Sequence, residues 1–112
     1  MGRSLLDDPA VTYAFAATRF SFPIQRAFFL NAAGQPQMFQ PEHALTRSQD
    51  LPEAFHDAGQ FYWARPETWL AGGAIFGPNA RPVLLPGHRV QDIDTFEDWT
   101  RAEALMRLLA AE

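Results

Sequence analysis

The longest regular pattern in this sequence is helical and lies at its end. After Thr95, the residues Trp99, Ala102, Met106 and Leu109 recur at helical spacing, and Asp98 stands three places beyond Thr95. That is the sequence form of a helix start. A side-chain oxygen caps the first free N–H groups, an acid reaches back, and Glu97 and Asp98 meet the positive end of the helix dipole. The pattern predicts an amphipathic helix from Phe96 to about Ala110. The elements before it read as shorter ones, punctuated by proline and glycine.

Val11, Tyr13, Phe15 and Ala17 alternate with smaller or polar neighbours, the period-two pattern of a half-buried strand. Pro23 interrupts, so 24–31 reads as a separate extended segment; 31–36 is a turn, and Gln37 to Phe39 returns from it. The resulting β-hairpin carries Phe28, Phe29, Leu30, Met38 and Phe39, more apolar surface than its own two faces cover. Two readings stand: it packs on the rest of the core, or it meets another subunit. Asp50, with Pro52 following, is placed to cap a short helical turn over 51–55. Gly59 resets the chain before a strand at 60–63, and 66–71 predicts a short helix closed by Gly72 and Gly73. Brief strands are expected at 74–76 and 83–85, with a turn at 77–79 between them. The mixture is α/β, with several short strands and no long βαβ repeat.

Composition sets the class. The 112 residues are 47% hydrophobic and 20% charged, which fits one globular domain and excludes a disordered tail. No apolar run approaches the roughly 20 residues that cross a bilayer, nothing reads as a signal peptide, and there is no cysteine. A cytoplasmic protein with no membrane partner is expected. Within 1–90 seven acids match seven arginines; within 91–112 six acids face only Arg101 and Arg107, so the whole formal charge of −4 sits in that last stretch. There is no lysine. An acidic chain without a basic stripe argues against duplex nucleic acid as a partner.

The acidic stretch holds the best chemical candidate. If Gln91 to Asp94 is extended, Asp92 and Asp94 project to one face while Ile93 points into the core. Adjacent carboxylates repel, and a divalent cation or a shared proton relieves them; oxygen-only ligation favours Mg²⁺. By itself D-x-D is common in solvated loops. His56 and Asp57 are adjacent, but neighbours rarely point together, so a structural histidine and a turn-capping aspartate are the favoured reading. His43 and His88 lack metal-ligand spacing. Arg47, close to Gln49, precedes the aromatic cluster of Phe55, Phe61, Tyr62 and Trp63. An arginine fork suits a carboxylate and aromatics line sugars, although core aromatics and a surface ion pair explain the same residues. No Gly-rich phosphate loop or Walker-type lysine is present.

Three ordered stretches carry a resemblance: Phe20-Ser-Phe-Pro-Ile-Gln-Arg26, Arg47-Ser-Gln-Asp-Leu-Pro-Glu-Ala-Phe-His-Asp-Ala-Gly-Gln-Phe-Tyr-Trp63, and Val90-Gln-Asp-Ile-Asp-Thr-Phe-Glu-Asp-Trp99 with Ala102-Glu103. Together, over about residues 10 to 105, the chain resembles the acylneuraminate cytidylyltransferase family, in wording closest to its pseudaminic acid branch. The resemblance implies transfer of CMP from CTP to a nonulosonic acid, a nine-carbon acid sugar, with Mg²⁺ required and pyrophosphate released. The D-I-D motif binds the metal in that family, which implies Asp92 and Asp94 as metal-binding and catalytic residues. It further implies that Tyr62, in G-x-x-Y after Gly59, and Phe76 line the sugar site. Arg47, just before the Q-x-L-P segment that Gln49 opens, resembles an arginine reaching a partner subunit's sugar site.

The expected fold is therefore the C-terminal part of a nucleotide-diphospho-sugar-transferase-like, Rossmann-like three-layer α/β fold. A hairpin insertion at about 20–46 would serve dimerisation, and 47–112 would be the sugar- and metal-binding part. The family's CTP-binding half, with its R-x-G-S-K-type loop, is expected before Met1, so the chain alone is expected to be inactive and to work as a homodimer with that half. The other expectation is a non-catalytic oligomerisation module or a degenerate remnant of such an enzyme.

Overall fold

The computed structural model describes residues 2–112, which divide into two compact units, one of residues up to 18 and from 56 onward, the other of 19–55. The first is built on β1 (Tyr13–Arg19), the middle strand of a sheet ordered β4-β1-β5, with β4 at Phe55–Ala64 and β5 at Ala80–Leu84. β1 and β5 run parallel, Tyr13 level with Ala80 and Ala17 with Leu84. The sheet is mixed and the arrangement is α/β.

The alternation around β1 predicts one wet face, yet every residue from Tyr13 to Thr18 is buried. The alanines at 14 and 16 are small because that face is close-packed, not because it meets water. On the Tyr13 side, Trp69 of α1 (Pro66–Ala71) meets Tyr13 edge-on at 5.2 Å, and Phe76 lies 5.0 Å from Phe15, ring centre to ring centre. Thr18, a hydroxyl in this apolar setting, donates to the Leu85 carbonyl at 2.8 Å.

The short helix α1 forms where 66–71 predicts it, with Pro66 in its first turn and Gly72 taking a φ of 71° at its end. The strand expected at 74–76 does not form. Gly72 and Gly73 both hold positive φ, and Ile75 and Phe76 sit in a turn. Pairing with β1 begins instead at Ala80, so β5 starts before the predicted Val83. Arg65 closes the unit. Its guanidinium donates to the carbonyls of Leu6 at 2.7 Å, Val11 at 2.6 Å and Pro9 at 3.2 Å, fastening the turn at Gly2–Asp7 beside β4. That turn is tight: a Cβ on Gly2 would come within 2.7 Å of both Phe61 and Trp63.

The helix α2 (Phe96–Ala110) matches its prediction, capping box included. Its half-buried stripe is Ala102, Leu105 and Leu109; Trp99 and Met106, predicted to face inward, are 54% and 68% exposed. The helix is rotated so that Leu105 takes the place expected of Met106. Among the described residues no helix is long and apolar enough to cross a membrane.

In the 19–55 unit the predicted hairpin is present as β2 (Phe28–Leu30) and β3 (Pro36–Met38), antiparallel with Phe28 opposite Met38. It begins at Phe28 because Pro23 starts a 3-10 turn over Ile24–Arg26. Asn31 organises the tip, its side-chain oxygen accepting from the N–H groups of Ala33 and Gln35, each at 3.0 Å. Phe28, Leu30 and Phe39 remain exposed. The helical turn predicted at 51–55 falls instead at Ser48–Asp50. Leu51 precedes Pro52, and the proline ring drives the residue before it out of helical space; Leu51 sits at φ −99°, ψ 139°.

The arginine clamp yields a stability test. Replacing Arg65→Met keeps the aliphatic stem but removes charged donors from three carbonyls, and is expected to cost about 2 kcal/mol. The measurement is the urea unfolding midpoint, with the slope unchanged.

Candidate functional site

The site starts from one backbone angle. In an unbroken strand, residues 57 and 62 differ in parity and face opposite sides. Gly59, inside β4, has a φ of 68°, the left-handed conformation of a bulge glycine, and it shifts the parity. Asp57 fixes that bend through its Oδ1, which accepts the Gly59 N–H at 2.9 Å, while its other oxygen accepts the Tyr62 hydroxyl. The turn-capping reading of Asp57 therefore holds, and His56 turns its Nδ1 to the Asp57 carbonyl at 3.0 Å.

The next residue links this bend to the acidic loop. Gln60 donates its side-chain amide to the Arg89 carbonyl at 2.9 Å, and Ala102, Leu105 and Leu109 of α2 line a hollow with His88, Arg89, Val90 and Gln91. Glu112 holds the same segment from the helix end, pairing with His88 at 2.8 Å and Arg89 at 3.0 Å. Residues 91–94 are thus carried between β4 and α2, and Asp92 lies within electrostatic reach of Tyr62. The hydrogen bond to Asp57 raises the Tyr62 phenol above its ordinary value, with desolvation and the negative charges of Asp57 and Asp92 acting in the same direction.

Asp94 is held by its backbone. Asp98 Oδ2 accepts the N–H groups of Asp94 at 3.0 Å and Thr95 at 3.1 Å, and the Thr95 hydroxyl accepts the Asp98 N–H at 3.1 Å. The capping box thus reaches one residue further than usual and sets where Asp94 begins. Those bonds, the one from Asp94 first, hold the Asp98 carboxyl below its ordinary value, with Arg101 adding to the effect. Ile93, predicted to point into the core, is 46% exposed; with Phe96 and Trp99 it lines an open hollow of about 410 Å³ beside Asp94.

The structure thus brings Tyr62 and Asp92 into one neighbourhood, with Asp94 two residues on. Phe76 rests on Phe15 at the end of the turn after α1. Arg47 and Gln49 belong to the 19–55 unit, where both are exposed and Arg47 pairs through Nε with Asp50 at 2.9 Å. The surface ion pair expected of Arg47 is therefore present. That Asp57 holds Tyr62 has no signature in the residue pattern; the D-x-G spacing signals the turn, but only the bulge puts both residues on one side.

The donor set suits a hard cation. The carboxylates of Asp92 and Asp94 make no hydrogen bond or ion pair among the described residues, so their oxygens are available. No group of three His, Asp or Glu side chains converges as a metal cage among those residues. Mg²⁺ is commonly held by one or two carboxylates plus water and substrate phosphates, and Asp92 and Asp94 supply donors of that type.

No family model matches the chain. Curated proteins do. It is 46% identical over 96 residues to the pseudaminic acid cytidylyltransferases of Campylobacter jejuni serotypes O:2 and O:23/36, covering 86% of this chain and 41% of each relative. The chain is a homologue of the pseudaminic acid cytidylyltransferases. The matched stretch is the C-terminal part of those relatives, and the chain spans about two-fifths of their length. A Helicobacter pylori protein named pseudaminic acid cytidylyltransferase and UDP-2,4-diacetamido-2,4,6-trideoxy-beta-L-altropyranose hydrolase is 34% identical over 92 residues, 82% of this chain and 17% of that protein.

Two measurements test the site's construction. Gly59→Ala strains the bend by about 1–2 kcal/mol, the cost of a left-handed conformation for a residue with a Cβ. It is also expected to return the Tyr62 ionisation, read from tyrosinate absorbance, toward the ordinary phenol value. For Asp98 the folded carboxyl is depressed, so its stabilisation is present above the unfolded value and lost as pH falls through the folded one. Asp98→Asn is therefore expected to lower the thermal midpoint at neutral pH, with the gap from the unaltered chain closing in acid.

Proposed function

We propose that this chain is the sugar- and metal-binding part of a cytidylyltransferase that transfers CMP from CTP to a nonulosonic acid of the pseudaminic class. The observation that carries the reading is the 46% identity to pseudaminic acid cytidylyltransferases over 86% of the chain, across the stretch that holds Tyr62, Asp92 and Asp94. The CTP-binding function falls to the portion of those relatives that this chain does not match. With it, the three strands here would form part of a Rossmann-like three-layer fold in a cytoplasmic enzyme.

In this reading Asp92 and Asp94 hold Mg²⁺. Bound there, the ion supplies positive charge that orients the triphosphate and offsets the charge growing as pyrophosphate leaves. The chain's own part is positional. The Gln60 and Glu112 contacts carry the 91–94 loop to the end of β4, and Asp98 fixes the backbone on which Asp94 stands. Tyr62 and Phe76 line the sugar, so that its anomeric hydroxyl meets the α-phosphorus in line. Arg47 and Gln49 are the remaining substrate-binding candidates, Arg47 toward the sugar site of a partner subunit in a homodimer.

The exposed hairpin favours a second reading, an oligomerisation module without catalysis, since Phe28, Leu30 and Phe39 leave apolar surface uncovered. The two readings separate in one assay. The chain is mixed with the separately produced N-terminal remainder of a Campylobacter jejuni relative, and pyrophosphate release from CTP, pseudaminic acid and Mg²⁺ is followed. Release is expected from the mixture and from neither piece alone, and Asp92→Asn is expected to cut it by about a hundredfold. Silence from the mixture, while the relative split at the same place is active, contradicts the catalytic reading.

A further inference from the structure

We propose that Asp57 is a positioning residue that makes Tyr62 an obligate hydrogen-bond acceptor toward ligand, so that this corner of the site takes a neutral N–H or O–H group of an acid sugar and repels its carboxylate. The inference rests on the reading of the chain as a sugar-binding part. A phenol has one hydroxyl proton, and Tyr62 spends it on the Asp57 carboxylate. That carboxylate cannot swing away to release it, because its other oxygen accepts the Gly59 N–H at 2.9 Å and holds the bend in β4. Tyr62 is 38% exposed, so its oxygen still presents lone pairs to an incoming molecule. Toward that molecule it can accept and cannot donate.

Charge works the same way. Asp57 touches the hydroxyl, so a carboxylate charge stands beside whatever approaches Tyr62. The cations on neighbouring segments are turned elsewhere: Arg89 pairs with Glu112 at 3.0 Å, and Arg101 pairs with Glu97 and Asp98. A sugar carboxylate placed here would meet repulsion and find no donor. An acetamido N–H or a ring hydroxyl would find an acceptor made more basic by its neighbours. Tyr62 thus reads the orientation of the sugar as well as its presence.

The variant that tests this is Asp57→Asn. Its amide keeps an oxygen for the Gly59 N–H but turns an NH₂ toward Tyr62, which frees the phenol proton to point outward. Tyr62→Phe removes the hydroxyl altogether. Two readouts are taken. The first needs no ligand: with Tyr13→Phe leaving Tyr62 as the lone tyrosine, the Raman ring doublet reports whether its hydroxyl donates or accepts. A strong donor is expected in the protein with Asp57 and an acceptor in Asp57→Asn; the same state in both overturns the lock. The second is calorimetric binding of an acetamido-bearing nonulosonic acid. Both Asp57→Asn and Tyr62→Phe are expected to weaken it by about tenfold, the scale of one hydrogen bond made with a charged group. Binding that is weakened by Tyr62→Phe and untouched by Asp57→Asn overturns the proposal. If the unaltered chain binds no nonulosonic acid, the sugar-binding reading fails and the specificity claim with it, while the Raman readout still decides whether Asp57 holds the phenol.

Discussion

Gly59 sits inside β4 with a φ of 68°, and the side chains gathered around Tyr62 depend on that one angle. Without it, Asp57 and Tyr62 would stand on opposite faces, and the next residue's amide would not be aimed at the Arg89 carbonyl. With it, a strand end becomes a bracket: one aspartate ties the bend, the phenol ties to the aspartate, and Gln60 ties the bracket to the acidic loop. The bend is affordable because β4 is an edge strand, where a local break in pairing leaves the buried centre of the sheet intact.

Behind that bracket stands β1, buried along its length, with the aromatic contacts of Tyr13 and Phe15 above it and the Arg65 clamp beside it. These interactions hold together the sheet that carries β4. The 91–94 loop is different. It belongs to no helix or strand and is held by its two ends, through Arg89 and through the capping box at Asp98. Its carboxylates make no hydrogen bond or ion pair among the described residues, while the backbone at either end of the loop is fixed.

Much of this was legible in the sequence, for reasons that differ by element. The α2 helix is plain because Thr95 and Asp98 encode its start locally and its apolar spacing is long. The hairpin is plain because Asn31 and Gly34 write its tip. What could not be read is non-local. The alternation in 11–17 describes a strand with one wet face, and only the flanking strands and rings convert it to a central one. The 51–55 turn gave way to the restriction that Pro52 places on Leu51, and the 74–76 segment lost its strand to the two glycines before it. Of the candidate site, Asp92 and Asp94 were legible as paired carboxylates, the parts given to Tyr62 and Phe76 came from the resemblance, and Asp92 lies within electrostatic reach of Tyr62. Asp57 was visible as a turn-former, but its hold on Tyr62 required the parity change at Gly59.

The central claim, that the β4 bend and the 91–94 loop form one site for an acid sugar and a divalent cation, is tested most directly by following the backbone amides of the labelled chain during titration with Mg²⁺ and then pseudaminic acid. The account predicts that Mg²⁺ moves the amides of 91–95 and that the sugar moves 57–62 and the turn around Phe76. Perturbation confined to the 19–55 unit, or no saturable change at 57–62 and 91–95, would contradict it.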